Sequence, residues 1–445
     1  MDINKRIHLV SLGCAKNQVD SEQMLAMLKQ AGWHVVPEPV EAEVIVVNTC
    51  SFIESAADES IETILELAQL KKNGSCRRLV VAGCLPERYR HPIAEALPEV
   101  DAFVGTGGIS AIVGAVTGSL ETGCYLPDPN CSVAAAGAMG RLLDDGPTAY
   151  LKISEGCDRH CTYCIIPRLR GRQQDRSIED LTAEAEVLIA AGKKELVLVA
   201  QETTAFGRHL PGSQGLDVLL AQLSALDSGI WIRVMYGHPR SITPAIIDTV
   251  ARYDNICSYF DIPVQHVSDA VLKAMGRRYG NRDLRRLFVD IRSRLPEVSL
   301  RTTLMTGFPG ESENDFNQLL DFIREIRFDH LGVFMYSDSE DLASHLLTGR
   351  VSHEVTQERY ERLMDLQQGI SAENKRRHVG KEMEVLVEKT LEEGLCRGRS
   401  AFQAPEVDGV TMVKTPLGQG EIERGAFLRI RVTDALDYDL IGVAV

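Results

Sequence analysis

The chain has 445 residues, 44% of them hydrophobic and 25% charged, which is the balance of a soluble globular protein with two or three domains. Its formal net charge of −15 makes it a poor general binder of a phosphate backbone, whose attraction comes from cationic contacts. No apolar run approaches the ~18 residues a membrane helix needs. The opening MDINKRIHLV has no apolar stretch followed by a small-residue cleavage site, so a cytoplasmic location is expected.

From residue 7 to about 104, β-rich runs alternate with helical stretches. IHLVSLG, EVIVVNT and RLVVAG read as strands; NQVDSEQMLAMLKQAG and ESAADESIETILELAQLKKNG read as helices, the second ending at Gly74. This alternation predicts an α/β domain with a doubly wound parallel sheet, assigned to residues 5–120. From about residue 105 the composition turns rich in Gly, Ala and Pro and includes VAAAGAMG. Residues 121–146 are read as a linker, with a short helix or two in this region.

Alternation resumes between Tyr150 and about Tyr336. AYLKIS, ELVLVA, WIRVMY, SYFDIP, SLRTTLMT and HLGVFMY are candidate strands, with helical patterns between them, one ending AEAEVLIAAGKK and another from Glu313 to Arg327. Six β/α units predict an open, partial (β/α)6 barrel over residues 147–378, closing with a polar helix from roughly His353 to Val379. From Lys381 onward only short strands appear: MEVLVEK, GVTMVKT, AFLRIRVTDA and LIGVAV, separated by Gly and Pro. Residues 379–445 are therefore expected to form a small all-β barrel.

Eleven cysteines in a chain expected to stay in a reducing compartment point to metal binding or chemistry more than to disulfides. The strand AYLKIS runs into EGCDRHCTYCIIP, a Cys157-x3-Cys161-x2-Cys164 loop. Thiolates are soft ligands suited to iron–sulfur clusters, and three of them on a four-iron cubane leave one iron open for a small chelating molecule. The alternatives are a zinc loop, which wants a fourth ligand such as His160, or unrelated core cysteines. Position favours a site, because the carboxyl ends of barrel strands are where such folds keep their chemistry.

Cys14, Cys50 and Cys84 each follow a predicted strand, in SLGC, VNTC and VAGC. In a doubly wound sheet the carboxyl ends of neighbouring strands form one rim, so these three are expected to meet there and hold a second cluster with an open iron. A single buried cysteine is usually inert core; three in the same topological position are not easily explained that way. Cys76, Cys124, Cys131, Cys257 and Cys396 fit no such pattern and are read as core or surface thiols.

The Cys157 loop, including Tyr163 before its last cysteine, resembles the motif of the radical S-adenosylmethionine superfamily. Over essentially its whole length the chain resembles the methylthiotransferases, which join a three-cysteine domain, a radical S-adenosylmethionine barrel and a C-terminal TRAM module. The resemblance rests on SLGCAKNQVDSE, NTCSFIESAADES, LKISEGCDRHCTYCIIP, RVMYGHP, YFDIPVQHVSD, TTLMTGFPGESENDF and QAPEVDG. FIESAADES, after Cys50, resembles members that modify ribosomal protein uS12 rather than members acting on tRNA. Ser51, where the family often has Gly, and the stretch SDSEDLASHL around Ser339 depart from the usual pattern without touching a cluster cysteine.

The resemblance implies two 4Fe–4S clusters and S-adenosylmethionine as both radical source and methyl donor. It implies hydrogen abstraction from the β-carbon of a uS12 aspartate, with sulfur presented by the second cluster. It places Gln201 and Glu202 at the methionine amino group, and Tyr163, Gln265, His266 and the Gly307–Gly310 turn on the same rim. An electron donor such as flavodoxin or ferredoxin is implied, and a monomer is expected. From Lys381 to Val445, eight Lys and Arg face twelve Asp and Glu, a formal charge of −4 that suits a basic protein partner better than RNA. Two other readings are a tRNA adenosine methylthiotransferase, which calls for a basic tail, and a non-catalytic two-cluster electron carrier, which needs no barrel or recognition module.

Overall fold

The computed structural model describes residues 5–120, 123–131, 140–416 and 422–445; the run VAAAGAMG lies outside these apart from Gly140. The chain forms two compact units. The first comprises residues 1–144, 152–160 and 164–176, and the second residues 145–151, 161–163 and 177–445.

The first unit opens with β1 (Arg6–Ser11), α1 (Ala15–Gln30), β2 (His34–Val35), β3 (Val44–Thr49), α2 (Glu54–Asn73) and β4 (Arg78–Gly83). It continues with α3 (Cys84–Tyr89), α4 (Pro92–Ala96), β5 (Ala102–Gly105), α5 (Ile112–Thr117) and β6 (Cys124–Tyr125). The strands pair in parallel in the order β2-β1-β3-β4-β5-β6. β3, VIVVNT, is buried throughout, as a parallel strand covered on both faces must be. Its side chains alternate across the sheet. Val44 and Val46 join Met24 and Leu28 of α1 and Ile112 of α5 in one core, while Ile45 and Val47 join Ile64 and Leu67 of α2 in the other. Each fully buried aliphatic side chain of this kind contributes about 1.5–3 kcal/mol. β6 lies inside the stretch expected to be linker, and α5 is core rather than connector.

Next in the chain come β7 (Thr148–Lys152), β8 (Ser154–Glu155), α6 (Ile166–Arg170) and β9 (Gln174–Asp175), with β8 and β9 pairing antiparallel in the first unit. The second unit then runs α7 (Ile178–Ala190), β10 (Glu195–Val199), α8 (Leu216–Ser224), β11 (Trp231–Val234), α9 (Pro244–Arg252) and β12 (Tyr259–Asp261). It continues through α10 (Asp269–Ala274), α11 (Asn281–Arg294), β13 (Ser299–Thr306), α12 (Glu313–Ile326), β14 (His330–Met335) and α13 (His353–Arg376). Two three-stranded sheets result, β11-β10-β7 and β12-β13-β14. A parallel bridge between Ile232 and Ile256 joins them, with the Cys257 N–H donating to the Ile232 carbonyl at 2.8 Å. The six expected strands are all present, and they form an open partial barrel. α12 starts in a capping box, in which Ser312 accepts from the Asp315 N–H and Asp315 accepts from the Ser312 N–H.

The C-terminal strands β15 (Glu382–Glu392), β16 (Leu395–Ser400), β17 (Thr411–Lys414), β18 (Phe427–Ala435) and β19 (Leu440–Ala444) close into a barrel in the order β15-β16-β17-β19-β18. β16 was not expected from its sequence, LCRGRS. It carries Arg399, which is buried by ion-pairing with Glu195 of β10 at 2.5 Å. Glu195 also takes Arg233 of β11 at 2.7 Å, and Arg233 donates to the Ala401 carbonyl at 2.9 Å. Tyr259 of β12 donates to Asp408 at 2.7 Å. The small barrel is thus tied to the strands of the large one by buried, charge-assisted bonds.

Candidate functional site

β1, β3 and β4 are neighbours in the first sheet, and their carboxyl ends lead directly into Cys14, Cys50 and Cys84. Cys14 caps α1, and Cys84 is the first residue of α3. Gly13, with φ of +92°, makes this approach possible: a Cβ there would lie 2.6 Å from the Cβ of Cys50. Asn17 fixes two of the three strand ends, donating to the Leu12 and Thr49 carbonyls at 2.9 Å each. Thr49 ties in the third, since its hydroxyl bonds the Ala82 carbonyl at 2.6 Å and accepts from the Leu85 N–H at 3.2 Å.

The three thiols act on one another electrically. Burial pushes Cys84 up to about 12, with Arg170 opposing and the charges of Cys50 and Cys14 reinforcing the rise. Cys50 is raised by burial, against the Phe52 N–H, with Cys14 adding to the rise. Removal of the Cys14 sulfur from water would also raise it. The charges of Lys16 and Arg170 and the N–H groups of Asn17 and Lys16 win, and it ends below the ordinary thiol range. Three thiols that repel one another when ionised, gathered on a strand-end rim, fit a cationic metal centre, which deprotonates its thiol ligands outright. Among the described residues no three acidic, His or Cys side chains converge tightly enough for a single ion. The corners of a cubane stand further apart than the ligands of one ion.

The second cysteine loop follows β8. In the first unit, the Cys157 N–H donates to the Gly171 carbonyl at 3.1 Å, and the Cys157 sulfur accepts the Arg159 N–H at 3.4 Å. Cys164 leads into α6. In the second unit, the Thr162 N–H donates to the Met275 carbonyl at 3.0 Å. The buried Arg277 places Nη1 3.7 Å from the Cys161 sulfur and 3.3 Å from the Tyr163 hydroxyl, while its Nε donates to Tyr279 at 2.6 Å. The Tyr163 ring meets Phe308 edge-on, with centroids 6.5 Å apart.

The other expected site residues lie at strand ends of the second unit. Glu202, after β10, is buried and accepts the Ser241 hydroxyl; Gln201 beside it is partly buried. His266, after β12, is wholly buried. Its Nδ1 accepts the Ser268 N–H at 3.0 Å, and burial pushes its pKa down to about 4, so the ring is neutral with its proton on Nε2. That Nε2 has no hydrogen-bond partner among the described residues. Gln265 lies in the left-handed region at φ +67° and exchanges backbone bonds with Thr303 and Met305 at 2.8 Å. Gly307 serves the turn after β13: its φ is +77°, its N–H donates to Glu311 at 2.7 Å, and a Cβ would strike Thr356. His266 is fastened within its own loop by Ser268, whereas Glu202 is held across loops by Ser241, which follows β11. Sequence reasoning missed Asn17, which lies inside the stretch SLGCAKNQVDSE without standing out there, and Arg170 and Arg277, which lie outside every quoted stretch.

Cys76, Cys257 and Cys396 are buried, Cys124 is partly buried and Cys131 exposed; all eleven cysteines are free.

Residues 6–105 match the Uncharacterized protein family UPF0004, residues 151–323 the Radical SAM superfamily, and residues 379–445 the TRAM domain. The chain is 52% identical over 441 residues to the ribosomal protein uS12 methylthiotransferase RimO of Desulfosudis oleivorans, covering 99% of this chain and 100% of that protein. It belongs to the RimO methylthiotransferase family. The RimO proteins of Geobacter sulfurreducens and Clostridioides difficile are 44% and 43% identical, each match covering 98% of both chains. Among solved structures, the radical S-adenosylmethionine methyltransferase TsrM of Kitasatospora setae shares the fold at a TM-score of 0.56 and 15% identity, over 74% of this chain and 73% of that one. The cobalamin-dependent S-adenosylmethionine radical enzyme OxsB superposes with a TM-score of 0.51 at 13% identity, over 82% of this chain and 56% of that one. As a RimO-family member the chain is a radical S-adenosylmethionine methylthiotransferase. No helix among the described residues is long and apolar enough to cross a membrane.

Proposed function

We propose that this chain adds a methylthio group to the β-carbon of an aspartate in ribosomal protein uS12. The observation that carries the reading is full-length identity of 42–52% to RimO proteins together with two cysteine triads placed at strand ends. The β-carbon of an aspartate has no proton acidic enough for ordinary acid–base removal, so the chemistry must proceed by radical abstraction. Bound 4Fe–4S clusters and S-adenosylmethionine would supply the radical, the sulfur and the methyl group.

In this reading Cys157, Cys161 and Cys164 hold the radical-generating cluster and Cys14, Cys50 and Cys84 hold the sulfur-presenting one. Tyr163, Gln201, Glu202, His266 and Gly307 belong to the S-adenosylmethionine site. The buried Nε2–H of His266 and the buried carboxylate of Glu202 supply one donor and one acceptor for the ends of that cofactor. The division of labour is an N-terminal cluster domain over 5–120, a linker over 121–146 that lends β6 to the first sheet, a radical domain over 147–378 and a TRAM domain over 379–445. The TRAM stretch from Lys381 to Val445 carries a formal charge of −4, and that balance favours a basic ribosomal protein over an RNA backbone. A flavodoxin or ferredoxin would feed electrons to a monomeric enzyme in the cytoplasm.

The test is anaerobic reconstitution with iron and sulfide, followed by incubation with dithionite and S-adenosylmethionine. Release of 5′-deoxyadenosine is expected, and its absence from protein carrying a full iron complement would refute the radical reading.

A further inference from the structure

Arg170 ends α6, six residues after Cys164, yet its side chain is only 3% exposed and points into the N-terminal cysteine rim. Nη1 donates to Asp20 at 2.6 Å and reaches Glu155 at 3.4 Å. Nη2 donates to the side-chain oxygen of Asn17 and lies 3.5 Å from the sulfur of Cys84. Lys152 shares the same two carboxylates, bonding Asp20 and reaching Glu155 at 2.7 Å. The cluster therefore holds two cations and two carboxylates, all within the first unit. The carboxylates gather at Lys152 and at one edge of the guanidinium. The other edge is left to Asn17, which fastens the strand ends before Cys14 and Cys50, and to the Cys84 sulfur.

A guanidinium is always charged and presents its donors in a rigid plane. Out of water, its field on a neighbouring thiolate is far stronger than it would be at the surface. Hydrogen bonds to cluster sulfurs and net local charge are among the levers that set iron–sulfur reduction potentials. A purely structural ion-pair network would need no nitrogen beside a ligand sulfur; this one puts Nη2 there.

We propose that Arg170 is the positioning residue of the Cys14/Cys50/Cys84 cluster, donating to the Cys84 sulfur and making that cluster easier to reduce. The inference rests on the reading of those three cysteines as cluster ligands. It makes the segment just beyond the radical loop part of the sulfur-presenting centre.

The test uses the full chain with Cys157→Ala, Cys161→Ala and Cys164→Ala, so that only the N-terminal cluster loads. Iron content and an EPR-monitored redox titration are compared for Arg170, Arg170→Gln and Arg170→Lys. Arg170→Gln is expected to shift the reduction equilibrium at least tenfold toward the oxidised cluster, about 59 mV for one electron, with Arg170→Lys restoring most of the shift. Iron retained by Arg170→Lys but lost from Arg170→Gln would equally support the inference. An unchanged potential in Arg170→Gln, or loss of iron from both variants, would overturn it. If the parent with Arg170 intact binds no iron, the cluster reading itself fails and the inference with it.

Discussion

The side-chain amide of Asn17 donates to the carbonyl of Thr49 at 2.9 Å, and Thr49 is the residue immediately before Cys50. The same amide holds the Leu12 carbonyl at 2.9 Å, two residues before Cys14. One side chain thereby sets the spacing of two strand ends that each deliver a cysteine. Asn17→Ala leaves both carbonyls and the Arg170 fork without this partner. Leaving buried polar groups unsatisfied costs about 1–3 kcal/mol each. Chemical denaturation should report that loss, and iron analysis should show depletion of the N-terminal site while the Cys157 loop still loads.

The two triads should fail differently. Replacing Cys157, Cys161 and Cys164 with Ala should abolish 5′-deoxyadenosine release. Replacing Cys14, Cys50 and Cys84 should leave that release intact and abolish methylthio transfer, measured by mass spectrometry of the uS12 product. Loss of both activities in the second variant, with normal folding and iron in the Cys157 loop, would contradict the separation of roles.

Glu195 ties the small barrel to the large one, between Arg399 at 2.5 Å and Arg233 at 2.7 Å. Burial would raise its pKa, but the two guanidinium groups hold it down to about 2. Breaking a buried pair by removing one partner costs about 3–5 kcal/mol. Glu195→Gln should therefore lower the unfolding free energy by an amount in that range, read by denaturant titration. Because its folded pKa is depressed, the carboxylate's contribution is complete above its unfolded value, near 4.5, and fades as pH falls from there toward 2.

Two buried histidines, His266 and His330, and the partly buried His378 set a second, milder acid limit. Burial lowers His266 to about 4, His378 to about 4 and His330 to about 3, against an unfolded value of 6.5. Between those values the unfolded chain binds protons that the folded chain does not, so stability is complete above pH 6.5 and declines below it. Each such group contributes a slope of about 1.4 kcal/mol per pH unit within its window. Melting curves between pH 7 and pH 5 should show the decline, and His330→Gln should flatten it.

Much of this architecture could be read from the residues, for identifiable reasons. VIVVNT and ELVLV are largely apolar and buried because both faces of a parallel strand are covered, and Cys50 stands out because it sits where the first of these strands stops. β16 was illegible because Cys396, Gly398, Arg399 and Ser400 are its buried residues, and no apolar alternation survives in that set. β6 has only two residues and depends on its neighbour β5 for definition. Arg170 looks like a surface cation in a five-residue helix. Its burial follows from Asp20, 150 positions earlier in the chain, and no local pattern carries that information.

The most direct measurement is mass spectrometry of ribosomal protein uS12 from cells with and without this gene, alongside nucleoside analysis of their tRNA. A methylthio group on the aspartate peptide is expected only when the gene is present, with tRNA unchanged. An identical aspartate peptide in both strains, with a tRNA modification that follows the gene, would contradict the assignment of a protein substrate.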